Sequence, residues 1–436
     1  MEFLRGLLQV IIGWCTFCLV VMMGYQLVVG LFGFRKKDKD YKDHDPASRF
    51  LILVPAHNEE RVIGDIVRNL RELDYPRELY DYYVIADNCT DGTAAAARAA
   101  GAKVIETRKE SPDAPTGKPI ALRKALEILE GYQNRYDLMM IFDADNLMDS
   151  NILREVNSQY LDKEKPDLIQ CYLGAKNKKG TVAWSYYSGY TVTNRFFDLA
   201  KTRLGINCVI GGTGFAISTA YLYERGGWTS MSLTEDFEIQ VEATMEGRRI
   251  LWNHKARVYD EKPTSLKASI RQKTRWGQGH WYVALTNTGK LFRLAAQGKI
   301  GAGEFISLLT YMYSMSAFLL AAVQTVATVA LWAITPGTSL FSPTFTSLAV
   351  GLLLFGYSYL FLFYLADWMD NRIAPKWNTL PAMIGSVFVN TVVGAYSQLV
   401  GLFRYRDQQH WVKTEHAIRA DSMPAEKPRP VKAKAA

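Results

Sequence analysis

The stretch that decides the fold is Leu138-Met139-Met140-Ile141-Phe142, which runs directly into Asp143-Ala144-Asp145-Asn146. Five apolar residues that end in acidic ones are typical of a buried strand whose carboxyl end meets a ligand. Phe50–Val54 and Tyr82–Ala86 are runs of the same kind. Helical spacing lies between these runs, over residues 61–73, 93–100 and 121–132. The alternation predicts an α/β domain with a mostly parallel sheet and helices on both faces.

Polar side chains follow each of the three apolar runs, where each strand is expected to end. They are Pro55, His57, Asn58 and Glu59 after the first run, Asp87 and Asn88 after the second, and Asp143 and Asp145 after the third. Because the carboxyl ends of parallel strands meet at one edge of a sheet, we expect these groups to form one site. Helix capping explains a single aspartate such as Asp91, but not three clusters.

Asp143 and Asp145 form the sharpest candidate pair. In extended backbone, alternate side chains project to the same side. Two carboxylates placed in this way can bind a hard divalent cation, Mg²⁺ or Mn²⁺, which can clamp a diphosphate. Aspartates are also common in loops, so the interpretation depends on the apolar strand before the pair and the two polar strand ends beside it.

Three further segments carry candidate groups, each with a structural and a functional interpretation. Lys118 lies in a glycine-lysine turn and either caps that turn or approaches a phosphate or base. Gly212 and Thr213 lie in a glycine-rich stretch that either turns tightly or lets the backbone approach a ligand. Glu235 and Asp236 either complement a helix dipole or provide a general base, for which Asp236 is the candidate.

Both ends of the chain contain apolar runs. Residues 6–34 carry no charge and exceed the roughly 20 residues that cross a bilayer. An uncleaved transmembrane helix over residues 1–34 is therefore expected, and the basic linker over residues 35–47 is assigned to the cytoplasm. Three more apolar runs predict C-terminal transmembrane helices within residues 304–403, over residues 305–334, 344–366 and 379–403.

The C-terminal tail conflicts with that count. Three crossings after a cytoplasmic domain leave residues 404–436 outside, whereas eight Lys/Arg against four Asp/Glu in the tail favour the cytoplasm. The run over residues 305–334 is longer than one span requires and has room for an extra interfacial turn. The sequence leaves the number of crossings open.

Residues 263–303 form a basic segment between the polar domain, residues 48–262, and the C-terminal apolar runs. From Lys262 to Gly303 the chain has eight Lys/Arg and no acidic residue, with aromatic residues between them. This pattern is typical of an amphipathic segment at a membrane surface. Binding of nucleic acid is the competing interpretation, and the adjoining apolar runs argue against it. Membrane lipids are therefore expected partners and nucleic acid is not.

Composition and missing motifs exclude several classes of protein. The 436 residues are 49% hydrophobic and 22% charged with a net charge of +8, which excludes a disordered chain. Five cysteines are too few for a disulfide scaffold, and the pair Cys15-x-x-Cys18 lies in an apolar run without further zinc ligands. The motifs GxxxxGK[ST], GxGxxG, HExxH and GxSxG are absent, so the corresponding nucleotide-binding and hydrolase classes lack support.

Taken together, the motifs resemble those of membrane-embedded family 2 glycosyltransferases, the cellulose, chitin, hyaluronan and poly-N-acetylglucosamine synthases. The resemblance covers about residues 50–300 and rests on five motifs in order: Pro55–Glu60, Asp87, Asp143-x-Asp145, Thr234-Glu235-Asp236 and Gln272-x-x-Arg275-Trp276. It implies a GT-A fold that binds a UDP-sugar donor, a Mg²⁺ or Mn²⁺ ion, and transfer with inversion to a glycan or lipid acceptor.

The resemblance also implies a role for each motif. The donor would lie against the Asp87 region and the first strand end, with Asp143 and Asp145 at its diphosphate and metal. Asp236, beside Glu235, would deprotonate the acceptor hydroxyl. The acceptor and the mouth of a translocation path would be bordered by Gly212, Thr213, Gln272, Arg275 and Trp276.

The sequence departs from the family pattern at three places. His57 stands where many members have Tyr or Phe, the Asp87 motif reads ADNCTD instead of DDGSTD, and Ser218 and Thr219 replace an arginine that is common after the glycine-rich turn. These departures concern the identity of the donor, not the class of reaction.

Two enzyme hypotheses and one non-enzyme hypothesis follow. The leading one is a processive synthase, multi-pass in a bacterial-type inner or plasma membrane with a cytoplasmic catalytic domain, which passes a growing polysaccharide through its helices. The alternative is single transfer to a lipid, of the ceramide or polyprenyl-phosphate kind. A scaffold with a degenerate transferase fold is disfavoured because all five motifs keep their chemical groups. The sequence identifies no accessory export or regulatory protein.

Overall fold

The structure is a computed structural model that describes residues 1–35, 37, 39–111, 114–335, 343–372 and 380–408. Its centre is one eight-stranded sheet. The strands are β1 (Phe50–Ala56), β2 (Tyr80–Asp87), β3 (Lys103–Thr107), β4 (Leu138–Ile141), β5 (Leu147–Met148), β6 (Leu168–Ala175), β7 (Phe215–Ser218) and β8 (Ile250–Asp260).

The strand order is β3-β2-β1-β4-β7-β6-β8-β5. The first four strands of this order are parallel, which confirms the α/β expectation for the part of the chain on which it was based. β7 is antiparallel to both its neighbours, β5 is antiparallel to β8, and β6 and β8 are parallel. The sheet is therefore mixed, and the carboxyl ends of β1, β2 and β4 lie at one edge.

Fourteen α-helices are described. In the catalytic domain they are α2 (Ile63–Arg71), α3 (Thr93–Ala100), α4 (Lys118–Ile128), α5 (Ile152–Asp162), α6 (Gly180–Thr193), α7 (Ala200–Arg203), α8 (Thr219–Glu224) and α9 (Glu235–Met245). The others are α1 (Glu2–Gly30), α10 (Leu266–Ala296), α11 (Ala302–Met312), α12 (Ser316–Ile334), α13 (Pro343–Asn371) and α14 (Leu380–Arg404). A π-helix, Asn194–Leu199, joins α6 to α7.

β1 shows why these residues form a central strand. Phe50, Ile52 and Val54 pack in the core on one face of the sheet, and Leu51 and Leu53 pack in the core on the other face. A strand that is covered by helices on both faces needs apolar residues at every position, which β1 provides. The polar residues that follow it are thereby placed at the edge of the sheet.

Three of the helical segments described are long and apolar enough to cross a membrane: Glu2–Phe34, Ser316–Ile334 and Met383–Arg404. α1 and α12 are antiparallel, because Gln324 Nε2 donates to Thr16 Oγ1 (2.9 Å) and Arg5 Nη2 donates to the carbonyl of Ile334 (2.9 Å). The apolar run that begins near residue 305 is divided into α11 and α12, so its extra length forms a separate short helix.

α13 ends against the catalytic domain. Near its end, Asp370 Oδ1 accepts hydrogen bonds from Arg195 Nε (2.6 Å) and lies 2.9 Å from His254 Nε2. These three side chains are buried. Because burying a charge without a partner is costly, this group fixes α13 to the π-helix and to β8.

α14 lies along α10 and α6. Its first turns pack at Gly385 against Thr181, and its crossing with α10 is so close that a Cβ on Gly277 would lie 2.8 Å from the carbonyl oxygen of Ser397. Beyond its last turn, Gln408 Oε1 accepts a hydrogen bond from the backbone N–H of Leu233 (2.8 Å). Both ends of α14 therefore contact the catalytic domain. The linkers over residues 336–342 and 373–379, and the tail from residue 409, lie outside the described residues.

Candidate active site

One cavity of about 2060 Å³ collects the polar strand ends and continues between the apolar helices. Most of the side chains and backbone groups that the sequence singled out line it: Pro55, His57, Glu59, Asp87, Lys118, Asp143, Asp145, Gly212, Thr213, Glu235, Asp236, Gln272, Arg275 and Trp276. We call the part formed by the strand ends, α4, α9 and residues 272–276 the catalytic half, and the part lined by α1, α6, α12, α13 and α14 the membrane half.

The ends of β1 and β2 are joined by hydrogen bonds at Asp87. His57 Nδ1 lies 2.7 Å from the carbonyl oxygen of Asp87, and Asp87 Oδ1 accepts hydrogen bonds from Thr107 Oγ1 (2.8 Å) and Asn88 Nδ2 (2.8 Å). The Asp87 side chain is buried at the edge of the cavity. Its orientation is therefore set by the protein before any ligand binds.

Asn58 and Asn88 are not among the residues that line the cavity. Both have a positive φ, of 58° and 49°, which asparagine tolerates better than most residues. Asn58 Oδ1 accepts from the N–H of Thr90 (2.7 Å), and Asn88 Oδ1 accepts from the N–H of Lys109 (2.7 Å). In the structure these two side chains hold the loops after β1 and β2.

The Asp143-x-Asp145 pair lies in a turn rather than in extended backbone, so the geometric premise of the sequence analysis was wrong. β4 ends at Ile141, and the N–H of Asn146 donates to the carbonyl of Asp143 (3.0 Å). Asp143 is half-exposed, whereas Asp145 is buried and accepts a hydrogen bond from the N–H of Glu261 (2.7 Å). Both residues still line the cavity.

Lys118 is the first residue of α4 and contacts the acidic groups of the site. Its Nζ lies 2.7 Å from Asp143 Oδ1 and 3.8 Å from Glu235 Oε1, and it also donates to the carbonyl of Gly212. Burial alone would lower the pKa of this ammonium, but the neighbouring carboxylates outweigh burial and raise it. Lys118 is therefore a fixed positive charge in the catalytic half.

Glu235 and Asp236 begin α9 and lie side by side, with Glu235 buried and Asp236 half-buried. Burial raises the pKa of Glu235 to about 7, and burial also raises the pKa of Asp236. Gly212 makes room for this pair: it has a φ of 76°, and a Cβ at this position would lie 2.8 Å from Asp236 Oδ2. Carboxylates that titrate near neutral pH are suited to general-base catalysis.

Thr213 is held beside Asp143 rather than in a separate acceptor region. Its Oγ1 accepts from the N–H of Asp143 (3.0 Å) and donates to Asn146 Oδ1. Asn146 also accepts from the N–H of Asp143 (3.1 Å) and is buried. The sequence analysis quoted Asn146 without assigning it a role, and the structure shows that it fixes the backbone of the acidic turn.

The Gln272–Trp276 motif lies on α10 and faces the start of α9. Arg275 Nη1 donates to the carbonyl of Leu233 (3.0 Å), just before the acidic pair. The Trp276 ring meets the ring of Tyr186 at 70°, with 6.0 Å between centroids. Gln272 Oε1 is buried without a hydrogen-bond partner among the residues described. The motif therefore contacts the segment that leads into Glu235 and Asp236, and it leaves Gln272 Oε1 to accept a hydrogen bond from a ligand.

The sequence analysis missed α6. This helix brings Tyr186 and Tyr190 to the cavity, and Lys262 Nζ lies 3.6 Å from the centroid of the Tyr190 ring. Aromatic residues four apart on one helix face are usually core residues, so their spacing gave no functional signal. Only the folded structure shows that they form a wall between the two halves of the cavity.

The membrane half opens sideways between α1 and α13. On α1, Val20, Met23 and Leu27 line the cavity although their side chains are 62%, 46% and 66% exposed. On α13, Tyr357 and Phe361 line it with 69% and 63% exposed. We call the opening bordered by these five residues the portal. Its apolar borders suit lipid chains rather than water.

The residues of the catalytic half fit a divalent cation. No group of three or more His, Cys, Asp and Glu side chains lies close enough together to hold a metal in the described parts of the chain. Mg²⁺, however, usually uses only one or two carboxylates and takes its other ligands from substrate phosphates and water. Asp143 and Asp145 at the cavity wall provide that number of hard oxygen donors.

Comparison with known proteins identifies the family. Residues 46–279 match the family model described as "Glycosyltransferase like family 2". The chain belongs to this family. The match confirms the expected GT-A-like α/β fold, and the five sequence motifs all lie within the matched residues.

Two curated relatives of this family 2 glycosyltransferase differ in their named products. The beta-monoglucosyldiacylglycerol synthase of Nostoc sp. (strain PCC 7120 / SAG 25.82 / UTEX 2576) is 26% identical over 266 residues, covering 61% of this chain and 55% of the relative. A probable glucomannan 4-beta-mannosyltransferase of Arabidopsis thaliana is 24% identical over 235 residues, covering 52% and 42%. The chain thus spans about half the length of these relatives.

A solved structure supports the fold over most of the chain. The mannosyltransferase PcManGT from Pyrobaculum calidifontis, in complex with GDP-Man and Mn²⁺, has a TM-score of 0.60 and 18% identity. The match covers 88% of this chain and 99% of that structure, so it extends beyond the catalytic domain into the apolar helices.

Proposed function

We propose that this protein transfers one hexose, with inversion, from a nucleoside-diphosphate sugar to a hydroxyl group of a membrane lipid. The observation that carries the proposal is the continuity of the cavity. Buried Glu235 and half-buried Asp236 lie at one end of it, and the portal between α1 and α13 opens it to the side at the other. A lipid can therefore enter from the bilayer and present its head group to the base.

Each catalytic group has a part in the proposed reaction. Asp236 takes the proton from the acceptor hydroxyl, the hydroxyl oxygen bonds to the anomeric carbon, and the bond from that carbon to the diphosphate breaks. The nucleoside diphosphate leaves with the electron pair, and Lys118 and Arg275 provide positive charge for it. Asp236 sits beside the backbone of Gly212, which leaves the sugar unobstructed by a side chain.

The donor lies across the strand ends in this proposal. The nucleobase contacts the buried Asp87 and His57, and the diphosphate lies toward Asp143 and Asp145. A Mg²⁺ or Mn²⁺ ion held by these two aspartates supplies charge to the leaving diphosphate when it is bound. Both UDP- and GDP-sugars are candidates as donors, because the family resemblance implies a UDP-sugar and the structure of PcManGT contains GDP-Man.

In this proposal the protein is a membrane enzyme whose catalytic domain lies on the cytoplasmic side. The candidate spans and the basic linker after α1 support this location. The domain boundaries given above stay a prediction, as do the roles of the individual site residues.

A processive polysaccharide synthase is the second candidate. The glucomannan relative and the Gln272-x-x-Arg275-Trp276 motif favour it. Processivity and translocation of a chain stay predictions, and the two candidates differ in their product: a polymer ladder for the synthase, one added hexose for the lipid transferase.

The test uses the purified full-length protein in micelles of an uncharged polyoxyethylene detergent. Each common UDP- and GDP-hexose is offered with dioleoylglycerol or phosphatidylglycerol, and nucleotide release and product mass are measured. We expect a lipid that gains the mass of one hexose. A polymer formed without any lipid acceptor would contradict the proposal and favour the synthase.

A matched pair of variants tests the route of the acceptor. Leu27→Trp enlarges a side chain that borders the portal and should raise the KM for the lipid several-fold. Val28→Trp enlarges its neighbour, which is also exposed but does not line the cavity, and should leave the KM unchanged. Equal KM values for both variants would place the route of the acceptor elsewhere.

A further inference from the structure

Among the described residues, Lys273 is the one whose positive charge reaches into the membrane half of the cavity. It lies on α10 within the Gln272–Trp276 motif, but its Nζ is directed to α14, where it donates to Asn390 Oδ1 (2.5 Å). Its stem passes Tyr186, with Nζ 5.1 Å from the centroid of that ring. The sequence analysis gave this residue no role of its own.

The surroundings of Lys273 contain no opposite charge. Among the described residues that line the membrane half, none is acidic, and no carboxylate lies within ion-pair distance of Lys273. Lys118, the other lysine in the cavity wall, contacts Asp143 and lies near Glu235. The contrast shows that the protein itself neutralises the lysine of the catalytic half and not that of the membrane half.

An ammonium in such a place is energetically unfavourable unless a ligand compensates it. Moving a charge out of water is costly without a partner, and burial lowers the pKa of Lys273 to about 8. An ammonium has three N–H donors, and Asn390 accepts one of them. The other donors are available to the oxygens of an anion that enters the cavity.

The position of Lys273 indicates which substrate brings that anion. Lys273 Nζ contacts Asn390 on α14, which lines the membrane half, whereas Lys118, Asp143 and Arg275 line the catalytic half at the proposed diphosphate. An anion at Lys273 therefore belongs to the acceptor and not to the donor.

We propose that the acceptor of this enzyme is a lipid that carries a phosphate group, and that Lys273 with Asn390 binds this phosphate. The proposal rests on the proposed function and narrows its acceptor. The acyl or prenyl chains lie in the portal, and the phosphate oxygens accept hydrogen bonds from Lys273. In a phosphodiester lipid a head-group hydroxyl extends toward Asp236 and loses its proton there, whereas in a polyprenyl phosphate a phosphate oxygen itself bonds to the anomeric carbon. Phosphodiester lipids with a head-group hydroxyl and polyprenyl phosphates share this chemistry.

The test compares acceptors in the same uncharged micelles. The acceptors are dioleoylglycerol, which has no phosphate, phosphatidylglycerol, which has a phosphodiester and hydroxyls, and a polyprenyl phosphate. We expect kcat/KM for at least one phosphate-bearing lipid to exceed that for dioleoylglycerol at least tenfold. Asp236→Asn separates the two sources, because a hydroxyl acceptor requires the base whereas a phosphate oxygen is already deprotonated.

Variants of Lys273 link the preference to the site. Lys273→Met keeps the apolar stem and should abolish the preference for phosphate, and Lys273→Arg keeps the charge and should retain most of it. Lys290→Met removes an exposed lysine from the same helix and serves as the control. The KM for the donor should be the same in all three variants. Lys273→Gln, which keeps a donor group, replaces Lys273→Met if the latter is recovered only as aggregate.

Four results would overturn the proposal. Equal kcat/KM for dioleoylglycerol and the phosphate-bearing lipids, or an unchanged preference in Lys273→Met, removes the phosphate site while the lipid transferase stands. A raised KM for the donor in Lys273→Met assigns the lysine to the diphosphate instead. Polymer formation with no hexose transferred to any lipid rejects the proposed function, and the acceptor site with it.

Discussion

In the catalytic half of the cavity, charges face each other: Lys118 contacts Asp143 and lies near Glu235, and Asp87 is held by two hydrogen bonds. In the membrane half, Lys273 donates to an amide oxygen, lies beside an aromatic ring, and forms no ion pair with any residue that the structure describes. The first half is organised before a ligand arrives, and the second leaves groups for the ligand to satisfy. This difference suits an enzyme whose chemistry is fixed by its family and whose acceptor is specific to the protein.

The largest effect is expected for the proposed general base in the catalytic half. Asp236→Asn keeps the shape of the side chain and removes its basicity, so transfer to a hydroxyl should fall by about 10²- to 10⁴-fold. Donor binding, measured by the KM for the nucleotide sugar, should be unchanged. Glu246→Gln, one residue beyond the end of α9, is the control, since Glu246 is exposed and does not line the cavity. Weakened donor binding with normal turnover would move Asp236 into the donor site.

The metal site belongs to the catalytic half alone. Asp143→Asn removes a carboxylate that we assign to the diphosphate and the metal, and we expect activity to fall by at least tenfold, as it should for the native enzyme in excess EDTA. The preference among lipid acceptors should survive in the residual activity. Full turnover of the native protein in EDTA would reject the metal site.

Arg275 contacts the segment before the acidic pair by donating to the carbonyl of Leu233. Because a guanidinium can hold a carbonyl and a phosphate with different N–H groups, Arg275→Lys should lose about tenfold in kcat while the protein still inserts into membranes. Arg271→Lys, on an exposed turn of the same helix, provides the comparison. Normal turnover by Arg275→Lys would leave the motif as an anchor at the membrane surface.

The smallest effect concerns pH. A carboxylate base works when it is deprotonated, so kcat should rise with pH and level off above the pKa of Asp236, which burial raises above its usual range. Burial raises the pKa of the neighbouring Glu235 to about 7, and Glu235→Gln removes its negative charge, which should move the acidic limb of the profile to lower pH. A profile that does not move would show that the two carboxylates titrate independently.

The strands β1, β2 and β4 and the residues after them could be predicted from the sequence, because each of these strands is buried along most of its length and is followed by polar residues close in sequence. The two-residue strand β5 and the antiparallel strand β7 could not, because their pairing partners are distant in sequence. The motif Asp143-x-Asp145 was found for a partly wrong reason, since a turn and not a strand sets its geometry.

The membrane half was largely inaccessible to sequence reasoning. Lys273 is one of eight basic residues between Lys262 and Gly303. Only its proximity to Asn390, which follows more than a hundred residues later, distinguishes it from the others. The roles of Tyr186 and Tyr190 could not be predicted either, because aromatic spacing on a helix does not reveal which surface the helix will face. Contacts between distant helices decide these roles.

The contacts of α14 bear on whether the number of membrane crossings is odd or even. Arg5 and Ile334 mark the far ends of α1 and α12, α13 returns to His254, and both ends of α14 contact the catalytic domain. Met383–Arg404 is apolar enough to cross a membrane, but these contacts lead us to predict that α14 lies along the membrane surface beside the polar domain. The predicted crossings are then α1, α12 and α13, which would place Met1 and Gln408 on opposite sides of the membrane, with Gln408 on the side where positive charge is favoured.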